Sequence, residues 1–152
     1  MKLYVVRHAQ AADENDDPQR HLTRKGRKDA RALGKRLKKE KLKVKRIWHS
    51  GIARAVETAE ELASKLRGRP KLVKHPGLAP DDSPVKIARS LATSRDDVMI
   101  VGHEPFLSRL VSQLVLSRTT PVIVLLRKPS IVCLERDDDA SWVIHWMLPV
   151  RT

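Results

Sequence analysis

Two histidines and two arginines stand out in the sequence for where they fall. Arg7-His8 closes a short run of apolar and β-branched residues, Ser50, Gly51 and Arg54 follow a second run, and Gly102-His103 follows a third, Val98 to Val101. If each run is a strand of one sheet, three strand ends bring these side chains to one edge, and unrelated structural residues have no reason to gather there. The set suits a phosphoryl group. An arginine fork grips phosphate oxygens in pairs and stays charged at any working pH. A neutral histidine among such cations has its pKa held down, which keeps its lone pair free for nucleophilic attack. Phosphoryl transfer needs chiefly positioning and charge neutralisation, and one well-placed arginine supplies about 10³ to 10⁵ in rate.

The elements that must position these groups alternate along the chain. Lys2 to Arg7 reads as a buried strand, and Thr23 as the N-cap of a helix to about Lys41 with the stripe Ala30, Leu33 and Leu37. A strand over Arg46 to His49 precedes a helix from Ile52 to about Leu66, capped by Ser50, with Val56, Ala59, Ala63 and Leu66 on its packed face. Lys71 to His75 is a third strand, Pro84 to about Ala92 a short helix, and Val98 to Val101 a strongly buried strand followed by a helix to about Leu116. Three further strands are expected over Val122 to Leu126, Ser130 to Glu135 and Trp142 to Leu148. Strands alternating with helices imply an α/β three-layer sandwich, a mostly parallel sheet flanked by helices, with the last strands adding an antiparallel edge. Ligands of such sheets sit beyond the carboxyl ends of the strands, which is where the two arginines and two histidines fall.

Composition narrows the class. The 152 residues suit a single domain spanning 1–152, and one cysteine, Cys133, excludes a disulfide framework or a multi-cysteine metal site. No apolar run approaches the roughly 20 residues of a membrane span, and the N-terminal strand runs directly into charge, so the expected location is the cytoplasm. The formal charge of +13 is concentrated: Arg20 to Arg46 holds fourteen Lys and Arg against two acids, and the rest of the chain is nearly balanced. With aromatics at only 3%, little is available for stacking on bases, so nucleic acid is a poor candidate partner. The basic helix 23–41 is instead either a solvated face or a docking surface for an acidic or phosphorylated partner. His21, His49, His75 and His145 lack metal-ligand spacing and read as structural or surface residues, so no metal and no cofactor is expected.

These residues also carry a family resemblance. Arg7-His8-Ala9 resembles the Arg-His-Gly motif of the histidine phosphatase superfamily, which has the phosphoglycerate mutase-like fold. The segment Ser50 to Ala59 resembles that family's Ser-Pro-x-x-Arg-Ala-x-x-Thr-Ala, and Gly102-His103 its late Gly-His. Arg20 to Gly26 and the tail Trp146 to Pro149 are similar to the small bacterial phosphohistidine phosphatase branch, as is the absence of long insertions. Ala9, Gly51 and Glu104 depart from the commoner Gly, Pro and neutral residue. The resemblance implies that His8 is the nucleophile, that Arg7, Arg54 and His103 bind the phosphoryl oxygens, and that Arg20 contributes to phosphate or substrate binding. Ser50 reads as a cap that orients Arg54, and with Arg20 as a candidate phosphate- or substrate-binding residue.

The general acid stays open among Asp81, Asp82 and Glu104, with Asp13 a further rival. Glu104 either raises the pKa of His103 or turns away to cap the helix beginning at Pro105. An alkyl phosphate ester needs help at its leaving alkoxide and is among the slowest bonds to hydrolyse unaided. A phosphohistidine leaves as imidazole, which solvent can protonate, so a site without a committed acid suits phosphoramidates. The expected function is a metal-free phosphatase working through a phosphohistidine intermediate on a phosphorylated protein. The alternatives are a phosphatase of small phosphomonoesters, nucleotides or polyphosphate, and an inactive anion-binding module.

Overall fold

A computed structural model describes residues 1–149. Its elements run β1 (Lys2–Arg7), α1 (Arg24–Lys39), β2 (Arg46–His49), α2 (Ala53–Lys65), β3 (Lys71–Lys74), α3 (Val85–Thr93), β4 (Val98–Gly102), α4 (Phe106–Leu116), β5 (Ser130–Arg136) and β6 (Trp142–Pro149). The strands form one sheet in the order β3-β2-β4-β1-β5-β6. The first four are mutually parallel, β5 runs antiparallel to β1, and β6 antiparallel to β5. The antiparallel element is thus a pair, with β5 inside the sheet and only β6 at the edge.

Alternation along the strands builds two cores, one on each face. Leu3 and Val5 of β1 pack with Ile87 and Leu91 of α3 and Phe106, Leu107 and Leu110 of α4. Tyr4 and Val6 point the other way, onto Leu33 and Leu37 of α1 and Ala55, Ala59 and Leu62 of α2. The sheet is therefore the middle of three layers. The buried stripe of α1 is the expected one; in α2 Ala59 and Leu66 are buried and Ala63 packs against the core as expected, but Val56 is only half-buried and Ala55, Thr58 and Leu62 join the packed face. None of the described helices is long and apolar enough to cross a membrane.

Val122 to Leu126 is not a strand. Its side chains alternate as a strand's do, with Val124 and Leu126 buried and Leu125 78% exposed. Yet the hydrogen bonds that in a sheet would go to a neighbouring strand go to side chains instead. The Pro121 carbonyl accepts from Ser112 Oγ, the Val124 carbonyl from Ser108 Oγ, and the Leu126 carbonyl from Arg7 Nη1. Hydrophobic period alone could not separate this extended strap from a strand.

The start of α1 is locked to the turn after β1. Thr23 accepts the Gly26 N–H as an N-cap, and its own N–H donates to the Gln10 carbonyl. At Gly26 there is no space for a side chain, because a Cβ would lie 2.1 Å from the Gln10 carbonyl oxygen. Gly26→Ala is expected to lower stability by about 1–3 kcal/mol and to reduce turnover as well, since Gln10 is two residues from His8. Denaturant unfolding beside steady-state kinetics checks both.

Candidate active site

His8 is the first residue beyond β1, held by its neighbours on both sides. Its backbone N–H donates to the Gly102 carbonyl across the β1–β4 pair (2.9 Å). The next N–H, that of Ala9, donates to Thr58 Oγ1 (3.0 Å), and the Thr58 hydroxyl donates to the Arg54 carbonyl one turn back in α2 (2.8 Å). This is why Thr58 lies on the buried face of α2, and it ties the helix carrying Arg54 to the loop carrying His8. The imidazole Nδ1 meets the Ala9 carbonyl at 2.7 Å. A carbonyl can only accept, so Nδ1 carries the hydrogen and Nε2 is left with its lone pair.

His103, at the end of β4, faces His8 with ring centroids 5.2 Å apart. Ser50 does not cap α2, whose N-cap position is Ile52 with no side-chain bond. Instead Ser50 Oγ accepts the Ile52 N–H (3.2 Å) and sits 2.7 Å from His103 Nε2. This contact holds the His103 ring by Nε2 and leaves Nδ1 as its other nitrogen. That atom is buried without a partner, as are Nε of Arg7 and Nε of Arg54. An unsatisfied buried donor costs about 1–3 kcal/mol, and an oxyanion among these groups would relieve the cost. Arg7 is anchored by Nη1 on the Leu126 carbonyl at 2.7 Å.

The electrostatics are those of an anion site. Burial pushes His8 down to about 3, helped by His103, Arg54 and Lys128, against the opposing Ala9 bond. Burial pushes His103 down to about 4, aided by Arg54, Arg7 and Arg20. Both rings are neutral near pH 7. Burial also lowers Arg7 and Arg54, in Arg54 reinforced by Arg20, though a guanidinium stays charged at any working pH. Arg20, held by Nε on the Ala12 carbonyl at 3.0 Å, therefore belongs to the same cluster. Lys128 joins it as well, and nothing in the sequence reading pointed there.

The acid candidates fare differently. Glu104 Oε1 accepts the Ser108 N–H at 2.7 Å, which occupies the carboxylate at the start of α4. Of the two readings of Glu104, the structure forms the second, at the start of α4; its charge acts on Arg7, and His103 is lowered rather than raised. Asp82 accepts the Ala79 N–H within its own loop, and Asp81 is exposed. Neither is among the charges that act on His8, His103, Arg7 or Arg54, because their loop follows β3, two strands away from β4.

The remaining histidines are occupied elsewhere. His49 Nδ1 accepts from Gly51, His75 stacks on Trp48, and His21 and His145 pair with Asp17 and Glu135. Among the described residues no group of three or more His, Cys, Asp or Glu is placed to hold a metal ion.

The two neutral histidines set a pH dependence of stability. An unfolded chain protonates them near the ordinary value of about 6.5, whereas the folded protein resists protonation until far lower pH. Below about 6.5 the unfolded state therefore binds more protons, and stability falls as the pH drops from there towards 4. Denaturation midpoints at pH 7 and pH 5 should show this loss, and a His8→Asn/His103→Asn double variant should lose most of it.

A six-stranded sheet bearing a buried neutral histidine among arginines at its carboxyl edge is fitted to phosphoryl transfer, and comparison with known proteins points to phosphatases. The sequence profile of the histidine phosphatase superfamily (branch 1) matches residues 3–79, and the chain belongs to that superfamily. Among its relatives, the phosphohistidine phosphatase SixA of Escherichia coli (strain K12) is 25% identical over 153 residues, covering 97% of this chain and 93% of that protein. The solved structure of the protein histidine phosphatase SixA complexed with tungstate superposes with a TM-score of 0.85 at 24% identity, over 98% of this chain and 97% of that one. A phosphoglycerate mutase from Plasmodium falciparum shares the fold more distantly, with a TM-score of 0.68 at 19% identity over 100% of this chain and 97% of that one.

Proposed function

We propose that this phosphatase removes the phosphoryl group from phosphohistidine on a protein, through a phosphorylated His8. The observation that carries the reading is the bare Nε2 of a neutral, buried His8 among Arg7, Arg54, Arg20 and His103. Nε2 attacks phosphorus while the substrate's P–N bond breaks, and the departing imidazole takes its proton from solvent. Arg7 and Arg54 neutralise the phosphoryl oxygens, and His103 donates from Nδ1. Water then attacks phosphorus, the bond to His8 breaks, and inorganic phosphate leaves with His8 neutral again. No carboxylate needs to protonate the leaving group, in keeping with the placement of Glu104, Asp81 and Asp82. The described helices lie on the two faces of the sheet rather than over its carboxyl edge, which suits a site open to a protein side chain.

Turnover of a phosphohistidine peptide against a panel of aryl, serine and nucleotide phosphates tests the substrate class. Clear preference for the peptide is expected. Equal or faster ester hydrolysis would replace the substrate with a phosphomonoester, and no turnover of either would leave an anion-binding module.

The docking part of the reading rests on α1. Arg27 and Arg31 are tied to Glu57 and Glu61 of α2, whereas Arg24, Lys28, Lys35, Lys38 and Lys39 are exposed and make no ion pair among the described residues. The 16-residue helix starts beside Gln10 and extends about 24 Å away from it, so only a folded acidic partner could touch both the site and its far end. Reversing Lys35, Lys38 and Lys39 to Glu is expected to raise KM for a protein substrate about fivefold or more at low salt and to spare a small aryl phosphate. Equal loss on both substrates, or none on either, would refute docking there.

A further inference from the structure

The residues that follow the parallel strands do not complete the cation set. β5 runs antiparallel to β1, with Ser130 opposite Arg7, so the residues just before β5 arrive at the edge where β1 ends. Lys128 is two residues before that strand. Its neighbours fix it there: Leu126 and Pro129 are buried, Leu126 holds Arg7 through its carbonyl, and the Ser130 hydroxyl donates to the Arg127 carbonyl at 2.9 Å. The Lys128 ammonium is partly buried and lies in the fields of Arg7, Arg20 and Arg54, with Asp13 opposing them. It acts in turn on His8. Among the described residues no carboxylate is within ion-pair distance of it.

Four like charges that act on one another repel, and such an arrangement is stabilised by an anion between them. In sheet order β1 lies between β2, whose end leads to Arg54, and β5, which brings Lys128. The elements carrying the two cations therefore lie on opposite sides of β1 in the sheet, and both charges act on His8. We propose that Lys128 is a further phosphoryl-binding residue of this site, its ammonium group holding a non-bridging oxygen of the group transferred to His8. The inference rests on the phosphatase reading for its role in turnover, but not for the anion contact itself.

Inorganic phosphate is the probe, titrated calorimetrically at low ionic strength into the full chain. Lys128→Met should weaken phosphate binding about ten- to a hundredfold, the range of a charge-assisted hydrogen bond, while Lys128→Arg stays within about threefold of the parent. Lys128→Gln, a polar variant of similar reach, should behave as the Met variant does and guards against a packing artefact. Lys71→Met, at the exposed start of β3 and away from the carboxyl edge, should change nothing. In turnover, loss of Lys128 should lower kcat/KM by one common factor on phosphohistidine and on aryl phosphate, because the phosphoryl group is what the two share. The proposal is overturned if both neutral variants bind phosphate as tightly as the parent while Arg54→Ala does not, or if only the protein substrate is affected. Should the parent show no turnover while phosphate affinity still falls in Lys128→Met, the phosphatase reading fails and the contact stands.

Discussion

His8→Ala is expected to abolish the phosphoenzyme and to reduce turnover by at least about 10³-fold, as removal of a nucleophile does when the surrounding groups cannot replace it. Rapid quench with a labelled substrate reads the result directly: the parent should give a burst of acid-labile, base-stable protein phosphate, and the variant none. Its fold should survive, because the bonds of His8 to Gly102 and of Ala9 to Thr58 are made by backbone N–H groups. Phosphate should still bind, since the arginines and His103 remain. A His8→Ala enzyme that still forms an acid-labile phosphoenzyme would move the nucleophile elsewhere, and His103, at 5.2 Å between ring centres, is the first place to look.

Arg54→Ala should have the second largest effect, about 10³-fold or more in kcat, because the transferred group loses a bidentate partner as its charge spreads over the oxygens. Arg54→Lys keeps the charge but not the fork, and only a small part of the rate should return. The pH profile gives an independent readout. Arg54 helps to depress both His8 and His103, so its removal lets them protonate more easily, and the acid limb of kcat/KM should move to higher pH. A kcat within tenfold of the parent, with an unmoved acid limb, would place Arg54 outside the transition state.

Much of this site could be read from the sequence, for a topological reason. Parallel strands all end at one edge, so the residues following β1, β2 and β4 had to converge, and His8, Arg54 and His103 are found where that rule puts them. The same rule hid Lys128. An antiparallel strand brings the residues before it, not after it, to that edge, so expecting antiparallel last strands does not find Lys128 while only the residues after strands are inspected. The strap 122–126 compounded the error, since its alternating side chains match a strand's period and only its side-chain hydrogen bonds tell them apart. Ser50 and Glu104 show a finer limit. Both were legible as polar residues at helix starts, but whether such a group serves the helix or a neighbouring histidine is decided by tertiary contact. Ser50 turned to His103 and Glu104 to Ser108. The stripe of α2 is legible only in part: Ala59 and Leu66 are buried as expected, but Thr58, a polar residue, is buried to hold Ala9, and hydrophobic spacing cannot anticipate that.

The bond from His8 Nδ1 to the carbonyl of its own neighbour has a stereochemical consequence. Phosphorylated imidazole exists as two regioisomers, which differ in hydrolytic lifetime and in phosphorus chemical shift. With one ring nitrogen fastened to the peptide of Ala9, the chain can carry only the isomer substituted at the distal nitrogen. A ³¹P spectrum of the trapped intermediate should therefore contain a single histidine-bound resonance, assigned to that isomer.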